Sequence, residues 1–235
     1  MKAFAAASLL LLATFVSAQT TLPANTGDSR TGYPFKPAAA SILKPPTGAR
    51  VALIEFEDME CPLCAADAPT VRAAIAQYNS AGRALPYLRH DYPLTEIHIW
   101  SFDAAVTARY LQDRVSPAAA EQFRLAVFRA QPGIATKDDL AAFTRRWFRS
   151  HNIAQPFVLD STGACRTQVL ADRALGDRLG ERGTPCVFVV TARRWVMVTD
   201  ITQLYRAIDT AFAETSAPAA LAPQPRQRAK AVTHP

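Results

Sequence analysis

Val51-Ala52-Leu53-Ile54-Glu55-Phe56, running through Glu57-Asp58-Met59-Glu60 into Cys61-Pro62-Leu63-Cys64, is the stretch that decides the fold. Its first six residues are an apolar run broken only by Glu55 and bounded by Gly48 and the polar Glu57-Asp58, which predicts a short buried strand. Downstream, Val71, Ala74, Ile75 and Tyr78 fall on one face at helical spacing, and Asn79 to Gly82 ends that helix. The two cysteines therefore stand where a strand gives way to a helix. There the N–H groups and dipole of the helix start favour a thiolate at Cys61, the form that attacks or leaves in disulfide exchange. Pro62 lacks an N–H at a position where that donor would be unpaired anyway. Cys64, one turn on, is within reach of Cys61. Two other readings compete with a redox pair. A structural disulfide this short closes a tiny loop and gains little stability. A zinc site would have to recruit Cys165 and Cys186, since no second C-x-x-C exists. The strand-to-helix context favours redox chemistry, with no metal.

Outward from this point, Ala84 to His90 reads as a second strand, completing a β-α-β start. Roughly Ile99 to His151 is helical. Phe102, Ala105, Val106 and Tyr110 recur with helical period, Ser116-Pro117 caps a helix carrying Phe123, Val127 and Phe128, and Thr136 with Asp138 and Asp139 opens one carrying Leu140, Phe143 and Trp147. Arg145, Arg146 and Arg149 on the last are read as a solvated face. From Asp160 a further helix runs through Val169, Leu170, Leu175 and Leu179. A hairpin follows, Cys186 to Val190 with Trp195 to Thr199, and Asp200-x-x-Gln203 opens a final helix.

Composition limits the alternatives. The 235 residues are 49% hydrophobic and 20% charged, with 9 Gly beside 17 Pro, which excludes collagen-like, coiled-coil and wholly disordered chains. Residues 1–18 read as a secretory signal, with Lys2, an apolar stretch from Ala3 to Val16, and cleavage near Ala18. Residues 19–49, holding five prolines from Pro23 to Pro46, read as an extended lead-in. Residues 215–235 are Ala/Pro-rich, carry Arg226, Arg228 and Lys230 without an acid, and read as a disordered basic tail with no nucleic-acid role. The net charge of +6 lies mostly in these ends, because residues 19–214 hold 22 cations and 20 acids.

The chain resembles the thioredoxin superfamily and, within it, the DsbA-like thiol-disulfide oxidoreductases. The resemblance rests on Glu55-Phe56, Asp58-x-Glu60-Cys61-Pro62-x-Cys64, Asp91-Tyr92-Pro93-Leu94 and Gly183-Thr184-Pro185, and it covers about Arg50 to Glu214. It implies an α/β thioredoxin-like fold, with residues 50–98 and 155–214 forming the core and residues 99–154 an inserted helical domain. Cys61 becomes the exposed nucleophile and Cys64 its buried partner. Pro185 becomes a cis-proline beside Cys61, and Thr184 offers backbone hydrogen bonds to an extended substrate peptide, with Pro62 and Leu63 also at the substrate. Glu55 matches a buried acid that assists proton transfer at Cys64, the alternative being an acid at a strand edge facing water. Pro69 matches a helix-kinking proline.

The resemblance further implies an exported dithiol oxidase with no cofactor beyond the cysteine pair. It would act as a monomer in the periplasm or outside the cell on reduced or misoxidised exported proteins, and be reoxidised by a membrane partner of the DsbB or vitamin-K-epoxide-reductase-like type. A disulfide reductase or isomerase, and a redox-inactive binding or chaperone module, are the alternatives. Glu57, Asp58 and Glu60 crowd acids before Cys61, and Leu63 replaces a histidine found between the cysteines of the type member, so a less acidic thiol than the type member's is expected. Cys165 and Cys186 are expected to form a structural disulfide, with buried free thiols or exchange at Cys186 as alternatives. His90 and His98 flank the Asp91-Tyr92-Pro93-Leu94 motif and read as surface or satisfied-core residues, with a position near the site as the alternative for either.

Overall fold

Strand β1 (Val51–Glu57) is buried along its whole length because it is covered on both faces and paired on both edges. The structure is a computed structural model that describes residues 39–216. β1 pairs in parallel with β2 (Tyr87–Asp91) and antiparallel with β3 (Cys186–Thr191), and β4 (Trp195–Val198) completes a sheet of order β2-β1-β3-β4. A short helical turn, α1 (Ala39–Ile42), precedes β1, and the long helix α2 (Pro62–Ser80) makes the crossover that a parallel β1–β2 pair requires. After β2 come α3 (Ser101–Arg114), α4 (Pro117–Ala130) and α5 (Lys137–Ser150); α6 (Ala164–Leu179) then returns the chain to the sheet, and α7 (Leu204–Ser216) closes it. This is an α/β thioredoxin-like fold with a helical insertion.

The two-residue period of β1 sorts the core. Val51 and Leu53 pack with Val71, Ala74 and Tyr78 of α2 and with Leu204, Ile208 and Phe212 of α7. Ala52, Ile54 and Phe56 face the other way, onto Tyr92, Leu179 and Phe188. Gly176 is needed on that side: a Cβ there would lie 2.6 Å from the Tyr92 ring. Its absence lets α6 close until the Tyr92 hydroxyl donates to Asp177 and to the Glu181 carbonyl. A third cluster holds Trp100, Phe123, Trp147 and Phe148 of the insertion together with Met59, Cys61 and Cys64, so the inserted helices pack directly on the dithiol segment.

Local signals set the starts of α4 and α5. Ser116 accepts from the Ala119 N–H with Pro117 at the first helical position, and Thr136 and Asp139 form a reciprocal capping box. Some boundaries differ from expectation. α6 begins at Ala164 rather than Asp160, whose carboxylate instead accepts the N–H groups of Cys165 and Arg166 from outside the helix. Asp200 caps a single 3-10 turn (Ile201–Gln203) before α7 by accepting from Thr202. Residues 39–49 of the lead-in are not simply extended, since they contain α1 and plant Leu43, 2% exposed, in the core, while residues 19–38 lie outside the described residues. α7 runs two residues past the expected start of the tail. The expected signal and the remainder of the tail lie outside the described residues.

Candidate active site

Cys61 is the N-cap residue of α2, in extended conformation, with Pro62 at the first helical position. Its Sγ donates to the Thr184 carbonyl at 3.3 Å, and the Thr184–Pro185 peptide bond that follows is cis. Fold and chain order thus bring together the two motifs that lie 123 residues apart. Cys64, fully buried, accepts at Sγ from the Asp58 backbone N–H at 3.4 Å. Cys61 departs from the expectation of an exposed thiol. It is 5% exposed, because Thr184 closes over it on one side and the inserted helices on the other. Leu63, 64% exposed, is the solvent-facing member of the motif.

The thiols are strongly differentiated. The hydrogen bond with Cys64 is the largest influence on Cys61; against the opposing effect of burial, and helped by the Thr184 side chain and the N–H groups of Cys64 and Leu63, it lowers the Cys61 thiol to about 6. Burial and then Cys61 itself raise Cys64 well above the ordinary thiol range. Because the thiolate is the nucleophile, alkylation of Cys61 is expected to speed up as pH rises through about 6 and to level off above it. Iodoacetamide rates read by peptide mass would check this, and a midpoint near the ordinary 9 of a thiol would contradict it.

The acids before Cys61 are each claimed by a partner from elsewhere in the chain. Glu57 receives Arg72, Arg89 and Arg124. Asp58 accepts from the N–H groups of Glu60 and Leu94 and from His98 Nδ1. Glu60 accepts from the N–H groups of Trp100 and Ser101 at the start of α3. Gln131, beyond α4, donates to the carbonyls of Met59 and Cys61 at 2.6 and 3.1 Å. The helical insertion and the loop leading into it therefore hold the dithiol segment from three directions.

Beneath the dithiol lies a buried network of charges. Glu55 is enclosed rather than edge-facing: its Oε2 takes Arg72 Nη1 at 2.9 Å and the Tyr87 hydroxyl, while Oε1 is buried without a partner among the described residues. Burial, then Glu57, raises Glu55 above the usual carboxylate range against the pull of Arg72. Glu55 makes no hydrogen bond to Cys64 among the described residues; the Asp58 N–H is what touches that sulfur. Arg124, with a side chain 1% exposed, bridges Glu57 and both oxygens of Asp91, and Arg109 joins Asp91 to Asp172, which also meets His90. None of these arginines is evident from the dithiol motif. Arg124 does carry a signal, as a cation set in the apolar stripe of Phe123, Val127 and Phe128.

The expected disulfide between Cys165 and Cys186 does not form in this fold, and none of the four cysteines is in a disulfide. Cys165 opens α6, whereas Cys186 Sγ lies 2.6 Å from Glu181 Oε2 just past the other end of that helix. At about 1.5 Å per residue the helix separates them by roughly 20 Å, far beyond the Cα spacing of about 7 Å a disulfide can span.

A mixed sheet with a Cys-x-x-Cys pair at a helix start, facing a cis-proline turn, defines a thioredoxin-fold dithiol protein. The thioredoxin family model matches residues 46–210, and the chain belongs to that family. Among solved structures it is similar to alpha-DsbA1 of Wolbachia pipientis (16% identity, 75% of this chain and 97% of that chain, TM-score 0.61). It is also similar to the thiol-disulfide exchange protein alpha-DsbA2 of the same organism (18%, 70% and 83%, TM-score 0.55) and to BdbD of Bacillus subtilis (18%, 73% and 90%, TM-score 0.58). At these identities the likeness is one of fold. Among curated proteins, the Na(+)/H(+) antiporter NhaA 1 of Salinispora arenicola is 29% identical over 170 residues, 72% of this chain. The chain spans about a quarter of the length of the curated relatives it matches, 24% in that case.

Proposed function

We propose that the protein is an exported dithiol oxidase that passes the Cys61–Cys64 disulfide to folding proteins. The observation that carries this reading is the Cys61 thiol, lowered to about 6 at the start of α2 and set against the Thr184 carbonyl before the cis-proline. A stabilised Cys61 thiolate favours the dithiol form, and a protein whose dithiol form is favoured tends to give its disulfide away. A substrate thiolate attacks Cys61 Sγ, the Cys61–Cys64 bond breaks, and Cys64 leaves as a thiolate. The second substrate thiol then attacks the substrate sulfur of the mixed disulfide, closing the substrate disulfide and releasing Cys61. Pro62 and Leu63 at the exposed turn and the backbone of Thr184 bind the substrate segment. Leu63 within the motif is exposed, an apolar side chain suited to contact with unfolded polypeptide. Glu55, enclosed on β1 with one oxygen unpartnered, is the proton carrier for Cys64. Release to an oxidising compartment follows from the N-terminal sequence, and a quinone-linked membrane protein of the DsbB or vitamin-K-epoxide-reductase-like type restores the disulfide.

The test pairs oxidation of a reduced, unfolded substrate with reduction of insulin, each with Cys61→Ser as control. Faster oxidation by the native protein, abolished by the substitution, is the expected outcome. The opposite order would make the protein a reductase or isomerase, and inactivity in both assays with Cys61 unreactive would make it a binding module.

A further inference from the structure

Asp58 touches both cysteines through its backbone: its N–H donates to Cys64 Sγ at 3.4 Å and its carbonyl accepts from the Cys61 N–H at 3.1 Å. Its side chain is 0% exposed, and its carboxylate accepts from three donors. Glu60 N–H meets Oδ1 at 2.7 Å, while Leu94 N–H and His98 Nδ1 meet Oδ2 at 2.7 and 2.8 Å. An ionised carboxylate only accepts, so the ring hydrogen of His98 lies on Nδ1. Two of the three donors are backbone groups fixed by the chain path. His98 is the single side chain among them, and it comes from the loop between β2 and α3, outside the dithiol motif. We propose that His98 is a positioning residue for the Cys64 thiolate. By fixing the Asp58 carboxylate it holds the backbone N–H that, among the described residues, meets the Cys64 sulfur, and so supports the step in which that sulfur carries negative charge.

This inference rests on the dithiol-exchange reading above and specifies one of its steps. When an external thiolate opens the disulfide, Cys64 is the leaving thiolate. In the reverse direction, Cys64 passes its proton by way of Glu55 to solvent and attacks Cys61 Sγ in a mixed disulfide; the Cys61–Cys64 bond forms, the bond from Cys61 to the external sulfur breaks, and the external group leaves as a thiolate. The two cysteines are oxidised by two electrons and the external disulfide is reduced by two. The Asp58 N–H faces the same charged sulfur either way, as a hydrogen bond to an ion, the stronger kind.

The experiment reacts the full-length dithiol protein with oxidised glutathione and follows the Cys61–glutathione adduct by quenched-flow mass spectrometry. This separates adduct formation, which needs only Cys61, from its decay, which needs Cys64. His98→Ala is expected to slow decay about tenfold, the scale of one lost charge-assisted hydrogen bond. Adduct formation should stay within about twofold of native. His98→Asn, whose Nδ2 takes the place of the ring Nδ1, is expected to recover most of the decay rate, and His98→Leu, which refills the space without a donor, is not. Should the alanine variant fail to fold, the Leu and Asn variants carry the same contrast. Native decay in the variants lacking a donor, decay in Asn as slow as in Leu, or an equal loss in both steps would each overturn the proposal. A native protein that forms no adduct at all would overturn the exchange reading itself.

Discussion

Cys64→Ser is expected to stop exchange half-way. The variant should react with a substrate disulfide through Cys61 and remain joined to it, because the group that resolves the adduct is gone. Cys64 sits one turn along α2 from Cys61, and an oriented neighbour of this kind reaches effective concentrations of about 10⁵ M or more, which millimolar thiol in solution cannot replace. Turnover of a disulfide substrate should therefore fall by at least about 10³-fold. A stable covalent complex, seen on a non-reducing gel and released by dithiothreitol, is the readout. Full turnover in the variant, or trapping through Cys165 or Cys186, would contradict the assignment of Cys61 and Cys64 as the working pair.

Arg124→Met is expected to be the most destabilising single change away from the thiols. The Arg124 guanidinium lies 3.1 Å from one Glu57 oxygen and 2.6 and 3.0 Å from the two Asp91 oxygens, all buried. Methionine fills much of the space but leaves two buried carboxylates short of a cation, and breaking a buried pair in this way costs about 3–5 kcal/mol. Urea unfolding at pH 7 would measure it, and a loss below about 1 kcal/mol would show that Arg72, Arg89 and Arg109 compensate without it. Adding Glu57→Gln should recover part of the loss, since the damage is an unpaired charge and not a cavity. Acid gives a second check. Although burial raises Asp91, Arg124 and then Arg109 hold it down at about 2, below its usual 3.8. A depressed folded value means stability that is fully present above 3.8 and lost as pH falls through about 2, so the native protein should resist acid further down than the Arg124 variant.

The parts of this molecule that follow from local pattern were legible in the chain. The apolar run Val51 to Phe56, the caps at Ser116 and Thr136 and the hairpin from Cys186 each depend on neighbours within a few residues, and each forms an element within a few residues of its expected bounds. The dithiol was legible for the same reason. What local pattern does not show is long-range compensation. Glu57, Asp58 and Glu60 count as three adjacent negative charges beside a thiol, yet each finds its own partners, brought from as far as Arg124, 67 positions away. Gln131 and His98 offer no pattern that ties them to Cys61 and Cys64, because nothing but the folded path brings them there. The Cys165–Cys186 expectation failed on the same ground: two cysteines in an oxidising setting look like a pair until a helix is laid between them.

The charges beneath the dithiol also bear on how such a protein can change over evolutionary time. Arg109 and Arg124 belong to the inserted helices, Glu57 and Asp91 to the sheet, and Arg72 to the helix that carries the cysteines. An insertion bounded by loops looks like an exchangeable cassette. This one is not: a foreign set of helices lacking both arginines would strip Asp91 of Arg109 and Arg124 and leave Glu57 only Arg72 and Arg89. Sheet and insertion have to be inherited as a matched set, and a drift in one acid must be answered by the arginine facing it across the seam.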